Sequence, residues 1–377
     1  MNKYKQIEMA GPNITKVDEK FILDAFRNGW YGKNKFYYVE KFEKEFAKYH
    51  NRKYGLMTPN CTTAIHLILH SLGIKKGDNV ANQECTWVAA AAAVSYTRAK
   101  NNFIDICKKD WCMSPKDLEE KINKKTKAII VSDIYGNMPD MSKICMISKK
   151  YKIPLIEDSA EALGSKYRNK PAGSFGIAST FSFHRTKTIT TGEGGMIVTD
   201  DKNLFEKCKF FRDQGRNFYK SYIIDELGFK YMPFNMQAAL GFAQFKRIKK
   251  IIKMKRDIFF KFKKYLSCLE DISFNNDDKI TYNGCWATTL VIGESYKIDA
   301  NELMEKLNEL GLPTRPFFAP LSSMKPFFDK ASTIKNKNAY SIYKRGLTLP
   351  SALNLEDNQI KFYAEAIISV LKNEKKY

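Results

Sequence analysis

Residues 128–134, Ala-Ile-Ile-Val-Ser-Asp-Ile, read as one strand that opens on four consecutive apolar side chains. A strand that is apolar along most of its length has to be covered on both faces, and a sheet with helices on each side provides that cover. The surrounding chain repeats the arrangement. Asp140 stands where it can cap a helix over 141–151, and 153–157, 179–183 and 196–199 read as further strands. Upstream, Thr15 with Asp18 makes a capping-box-like start to a helix whose stripe is Phe21, Ile22, Ala25 and Phe26. A second helix is expected from about 38 to 50 and a short strand over 54–58. Asn60 then caps a helix with Ala64, Ile65, Ile68 and Leu72 facing inward, and Gly73 ends it. Buried strands separated by helices predict an α/β fold built on a mostly parallel sheet.

The remainder of the chain predicts a smaller layer. One long helix is expected to begin near Met236 and to run past Lys255, with a large domain over 1–250 and a small C-terminal α+β domain over 251–377. The small domain carries one expected strand at 286–292 and helices near 300–310 and 357–372. Between Lys246 and Lys264 the basic residues alternate with Ile248, Ile251, Ile252, Phe259 and Phe260 at helical spacing. That pattern reads as an amphipathic helix with a basic outer face.

Charge and cysteine usage narrow the function classes. The net charge of +22 could serve nucleic-acid binding, but the lysines are spread along the chain instead of gathered in one block. Solvated lysine faces explain that distribution without a polyanion. The eight cysteines, at 61, 85, 107, 112, 145, 208, 268 and 285, include no CxxC pair. They suit a reducing compartment and suggest neither a metal site nor a disulfide framework. No leader-like segment is expected at the start, and no apolar stretch reaches the ~20 residues of a membrane span. A cytoplasmic protein without a membrane or nucleic-acid partner is the expectation.

The chemistry gathers around Lys187. It lies in Ser182-Phe183-His184-Arg185-Thr186-Lys187, and Gly192-Glu193-Gly194-Gly195 follows. Asp158 ends the strand 153–157, Asn60-Cys61-Thr62-Thr63 opens a helix, and Trp87 offers a flat ring just before the alanine run 89–93. A desolvated lysine, a carboxylate at a strand end, a helix start with free amides and glycine-rich turns are the parts that hold pyridoxal 5'-phosphate. Each has a plainer role alone: a surface charge, a capping aspartate, a cap, a buried aromatic. As a partner of a protonated ring nitrogen, a carboxylate ~4 Å away at an effective dielectric of ~20 is worth about 4 kcal/mol.

Order and spacing carry more than any single part. Thr58-Pro59-Asn60-Cys61-Thr62-Thr63-Ala64, Glu157-Asp158-Ser159-Ala160-Glu161-Ala162-Leu163-Gly164, the stretch from Phe181 to Gly195, Gln237-Ala238-Ala239-Leu240-Gly241, Arg315 and Leu349-Pro350-Ser351 stand in the order of a known family. Over nearly its whole length the chain resembles the DegT/DnrJ/EryC1/StrS sugar aminotransferases, closest to their perosamine- and viosamine-type 4-aminotransferases. The resemblance implies an aspartate-aminotransferase-like fold (fold type I of the pyridoxal phosphate enzymes) and a homodimer with shared active sites. It makes Lys187 the Schiff-base lysine and Asp158 the partner of the ring nitrogen. Glu161 falls beside the ring hydroxyl, where many members have Gln or His. Ser182, Cys61 and Thr62 match the phosphate site, and Trp87 the stacking aromatic. Lys230 falls where many members have an asparagine that reaches the phosphate of the partner subunit. Trp30, Tyr31, His184 and Arg315 are the implied substrate contacts. The implied reaction takes an amino group from L-glutamate, through pyridoxamine 5'-phosphate, to C4 of an NDP-4-keto-6-deoxyhexose for glycan biosynthesis. Two alternatives stay open here: a 3-keto sugar aminotransferase of the same fold, and a non-enzymatic basic protein that binds nucleic acid or regulates.

Overall fold

The computed structural model describes residues 7–217, 219–220 and 222–375. At its centre is a seven-stranded sheet made of β1 (Tyr54–Thr58), β2 (Asn79–Gln83), β3 (Lys100–Ile104), β4 (Thr126–Ser132), β5 (Leu155–Asp158), β8 (Ala178–Ser182) and β9 (Gly195–Thr199). Two short strands, β6 (Lys166–Tyr167) and β7 (Lys170–Pro171), come between β5 and β8 in the chain. The order across the sheet is β1-β9-β8-β5-β4-β2-β3. The pairs β5–β8, β4–β5, β2–β4 and β2–β3 are parallel, and β9 runs against both of its neighbours.

The helices are α1 (Lys16–Asn28), α2 (Tyr37–Tyr49), α3 (Cys61–Ser71), α4 (Ala89–Tyr96), α5 (Pro115–Lys121), α6 (Met141–Tyr151), α7 (Lys202–Arg212), α8 (Asn235–Phe245), α9 (Ile248–Tyr265), α10 (Ala300–Glu309), α11 (Lys330–Lys335), α12 (Lys337–Arg345) and α13 (Asp357–Asn373). β4 shows why its apolar residues run together. Ala128 and Ile130 pack with Ala64, Ile65 and Ile68 of α3, while Ile129 and Val131 pack with Leu118 of α5 and Met141 and Ile144 of α6. Alternate side chains thus bury opposite faces of one strand. The strand ends at Ser132, two residues before the expected 134, because the chain turns out of the sheet there and Tyr135 takes a left-handed φ of 53°.

A second sheet, of order β10-β12-β14-β13, joins β10 (Ile272–Phe274), β12 (Thr289–Ile292), β14 (Gly346–Thr348) and β13 (Arg315–Pro316), all antiparallel. A further strand, β11 (Thr281–Tyr282), pairs with β6. The expected strand 286–292 is shortened to 289–292. Cys285 has a φ of 56°, and the Trp286 indole leaves the sheet direction to donate to the carbonyl of Thr186 at 2.8 Å.

Two further expectations are corrected. The long helix from Met236 is in fact two, α8 and α9, parted at Arg247, whose ψ of 14° is not helical. Its guanidinium donates to the carbonyl and side chain of Asn13 and, at 2.6 Å, to the buried carboxylate of Asp18 at the start of α1. A tertiary ion pair therefore sets the break. The face of α9 also differs from the pattern: Phe260 is exposed, while Lys255 is 1% exposed among Ile251, Ile252, Ile258, Phe259 and Phe262.

Candidate active site

Parallel pairing puts the carboxyl ends of β5 and β8 at one edge of the sheet, where Asp158 ends β5 beside Thr180 and Ser182 ends β8 two residues on. Open α/β sheets bind ligands beyond that edge. β9 begins there too, with Gly195 opposite both Ser182 of β8 and Thr58 of β1. Next to it α3 starts. Asn60 caps the helix by accepting from Thr63 N at 2.9 Å. The amides of Cys61 and Thr62 meet no acceptor among the described residues, and with the positive end of the helix dipole they form an anion cradle. A Cβ on Gly195 would stand 2.5 Å from the Asn60 carbonyl carbon and 2.7 Å from Cys61 N, so β9 can approach the helix start only as glycine.

Beside this cradle lies a cluster of charged groups. Lys187 Nζ donates to Glu161 Oε1 at 2.9 Å, the side chains being 11% and 8% exposed. The other Glu161 oxygen accepts from Tyr135 N at 2.9 Å. The same Lys187 amine lies 3.9 Å from the centroid of the Trp286 ring, a cation–π contact. Trp286 is nearly coplanar with Tyr135 at 6.0 Å, and Tyr135 stacks on Phe318 at 4.9 Å. Asp158 is buried. Its Oδ1 accepts from Ala160 N at 3.2 Å and faces the Cys61 thiol at 3.7 Å. Burial pushes its carboxyl up to about 6; the Ala160 amide opposes that, Glu161 adds to it, and the Lys187 cation draws it back. The Cys61 thiol is itself raised far above its usual range by burial and then by Asp158, so it stays protonated.

These donors fit one kind of group. The α3 amides suit a phosphate, Lys187 an aldehyde, Glu161 a hydroxyl, and the buried Asp158 a basic ring nitrogen whose positive charge would offset the cost of burying the acid. A model of the DegT/DnrJ/EryC1/StrS aminotransferase family matches residues 12–368. The chain belongs to this family. The GDP-perosamine synthases of Escherichia coli O157:H7 and Vibrio cholerae are 36% and 34% identical to this aminotransferase, over 96% and 94% of its length and 98% and 96% of theirs. Among solved structures, Helicobacter pylori PseC, an aminotransferase involved in the biosynthesis of pseudoaminic acid, superposes with a TM-score of 0.88 at 23% identity. The match covers 98% of this chain and 100% of that one. The fold is that of the pyridoxal phosphate sugar aminotransferases, and the alternative of a non-enzymatic basic protein falls away.

The other residues expected at the site of this aminotransferase are spread more widely. The Ser182 hydroxyl accepts from His184 N at 3.3 Å. The His184 ring meets the Thr186 hydroxyl at 2.9 Å and lies 3.7 Å from the Glu193 carboxylate. Burial draws its pKa down; Glu193 resists, and the cations of Lys187, Arg185 and Arg315 add to the lowering. Arg315, on β13, lines a cavity of about 70 Å³ with Met9, Ala10, Tyr135, Trp286 and Phe318. Trp87 is exposed, with its ring 5.9 Å from Phe318 at the rim of this wall. Three of the residues take no part in the cluster within this chain. Trp30 packs on Phe234 and donates to the Phe26 carbonyl, Tyr31 is fully open to solvent, and Lys230 pairs with Asp213 at 2.7 Å. Two residues that touch the Lys187–Glu161 pair, Tyr135 and Trp286, were not foreseen. Tyr135 had a signal, since it follows a buried strand at its carboxyl end; Trp286 had none, because it arrives from the other sheet.

Proposed function

We propose that this aminotransferase moves the amino group of L-glutamate to C4 of a nucleotide-linked 4-keto-6-deoxyhexose, giving a 4-amino-4,6-dideoxyhexose of the perosamine or viosamine type for glycan assembly. The names of the two GDP-perosamine synthases support this reading and make a GDP-linked sugar the first acceptor to try. The observation that carries it is the Lys187 amine, held by Glu161 over the Trp286 ring and near enough to the buried Asp158 for its charge to lower that carboxyl's pKa.

Pyridoxal phosphate bound at this site supplies an electron sink and carries the amino group between the two substrates. The rest falls to the chain. The Cys61 and Thr62 amides and the Ser182 hydroxyl anchor the phosphate. Asp158, shielded from water, keeps a positive charge at the ring nitrogen. Glu161, fixed by the Tyr135 amide, orients the ring hydroxyl and holds Lys187 until the group is bound. The Lys187 Nζ then takes a proton from the donor's α-carbon and returns one on the other side of the transfer. Arg315 and His184 face the space where an anionic substrate would enter. Trp87 stacks at the rim, and Lys230, exposed on its own subunit, reaches the phosphate of a partner subunit in a homodimer. The division into a domain over 1–250 and another over 251–377, and a cytoplasmic location without nucleic-acid or membrane partners, complete the proposal. No helix among the described residues is long and apolar enough to cross a membrane.

The test is a panel of GDP-, dTDP- and UDP-linked 4-keto and 3-keto sugars with L-glutamate, following 2-oxoglutarate release and locating the new C–N bond by NMR. Amination at C4 that disappears in Lys187→Ala is the expected result. Amination at C3, or turnover that survives in Lys187→Ala, overturns the proposal.

A further inference from the structure

Lys255 is a lysine in the wrong place for a surface charge. It is 1% exposed on the inner face of α9, where its neighbours are isoleucine and phenylalanine. An isolated buried ammonium is costly, and no carboxylate lies within ion-pair distance of it among the described residues. An apolar side chain would fill this position without that cost. What the amine does instead is donate to two backbone carbonyls, Trp286 O at 3.1 Å and Ser351 O at 2.6 Å. Either charge state of an amine can make both bonds. Burial lowers its pKa to about 7, with the Cys285 thiol as the one titratable neighbour acting on it.

Both carbonyls belong to the wall of the site. Trp286 follows the left-handed turn at Cys285 and precedes β12, so no strand pairing fixes its backbone. Its carbonyl is held by Lys255. Its indole N–H bonds to Thr186 O, next in chain to Lys187, and its ring lies under the Lys187 amine. Ser351 lines the same small cavity as Trp286 and Arg315, donates its amide to Met9 O and accepts from Thr288 N. One amine therefore joins α9, the Trp286 turn and the 349–351 segment directly behind the lysine.

We propose that Lys255 is a positioning residue: by clamping the Trp286 carbonyl it fixes the indole ring that seats the Lys187 amine. This rests on the reading of Lys187 as the residue that carries the cofactor. The two are separable. A protein that binds pyridoxal phosphate without colour or activity attributable to Lys187 sinks the former reading; a coloured, active enzyme indifferent to Lys255 sinks this one.

The experiment is a double-mutant cycle on the holoenzyme with Lys255→Met, which keeps length and packing, and Trp286→Phe, which keeps the ring face but loses the indole N–H. Two signals are read: kcat and KM for the keto sugar, and the pH midpoint of the visible absorbance band of the cofactor at Lys187. Lys255→Met is expected to lower kcat by about tenfold with KM changed less than about threefold, and to shift the band midpoint. In the double variant the loss should be no greater than in the worse single variant, because both changes break one path. Additive losses, or a Lys255→Met enzyme that loses thermal stability while kcat and the band stay put, overturn the proposal. If Lys255→Met yields no folded holoenzyme, Lys255→Leu, which likewise removes the donor, takes its place under the same additivity criterion.

Discussion

The carboxylate of Asp158 is buried, takes one amide and one thiol contact, and is pushed up to about 6 by that burial. A carboxyl with that pKa is mostly ionised at neutral pH, and a cation opposite it would offset the cost of burying the charge while the same attraction keeps the cation charged. With the pair worth about 4 kcal/mol, Asp158→Asn should cut kcat by roughly 10² to 10³ while the phosphate cradle still retains the cofactor. Steady-state kinetics beside a cofactor titration would show it, and a kcat within threefold of the parent would rule out the role. Lys255 gives a second residue-scale expectation, for stability against pH. Its folded pKa of about 7 lies below the ordinary lysine value of 10.5. Below pH 7 both folded and unfolded chains carry the proton, and the burial cost is felt in full. Between 7 and 10.5 the unfolded chain binds more protons at this position, so folding is favoured as pH rises, by about 1.4 kcal/mol per unit at most. Cys285, beside it, is itself pushed up by burial and stays protonated through this range. Urea unfolding at pH 6.5 and 8.5 should therefore show the parent gaining on Lys255→Met as pH rises; a constant difference would contradict it.

Among the elements, the meeting of β9 with α3 decides whether a phosphate can be held. Gly195→Ala would drive a methyl into the Asn60 carbonyl and Cys61 N, both backbone, so the helix start has to move. Cofactor affinity should fall at least about tenfold, some 1.4 kcal/mol, as measured by equilibrium dialysis. An unchanged affinity would mean that the cradle lies elsewhere. The glycine-rich stretch was legible as a turn, whereas its steric reason required the strand register. Elements with local signals were read closely from the chain. The Thr15–Asp18 start of α1 and the Asn60 and Asp140 caps are all present, because caps are short-range bonds. β2 and β3 escaped notice because they are polar: Asn82 and Gln83 are fully buried, and Gln83 bonds Cys85 O and Met113 N. The Arg247 break escaped for a different reason, its partner Asp18 being 229 residues away. Lys255 was read as surface for want of any local sign that its amine had carbonyls to reach. At the site, Lys187, Asp158, Glu161 and Cys61 were legible from order and type and stand together; Trp286 became visible only when two sheets met.

At the scale of the molecule, the site is assembled from distant chain segments, and one of its proposed members faces away. Lys230 is exposed, paired with Asp213, on a segment that also exposes Tyr219, Tyr222 and Leu227 almost entirely. Exposed large apolar side chains grouped in this way suit burial against another surface. In a homodimer with twofold symmetry, the same patch meets its own copy, and a lysine on one subunit can serve the phosphate cradle of the other. Mixing tests this directly. Lys187→Ala and Lys230→Ala subunits each form dead dimers if both residues are needed. In a heterodimer, the subunit that keeps Lys187 borrows Lys230 from its partner and regains one working site, while the second site lacks both. Unfolding and refolding the two variants together at equal amounts makes about half of the dimers mixed, so activity should return to roughly a quarter of the parent's. If Lys230 serves its own subunit instead, no mixed dimer contains a complete site, and the refolded mixture stays as inactive as the two variants apart.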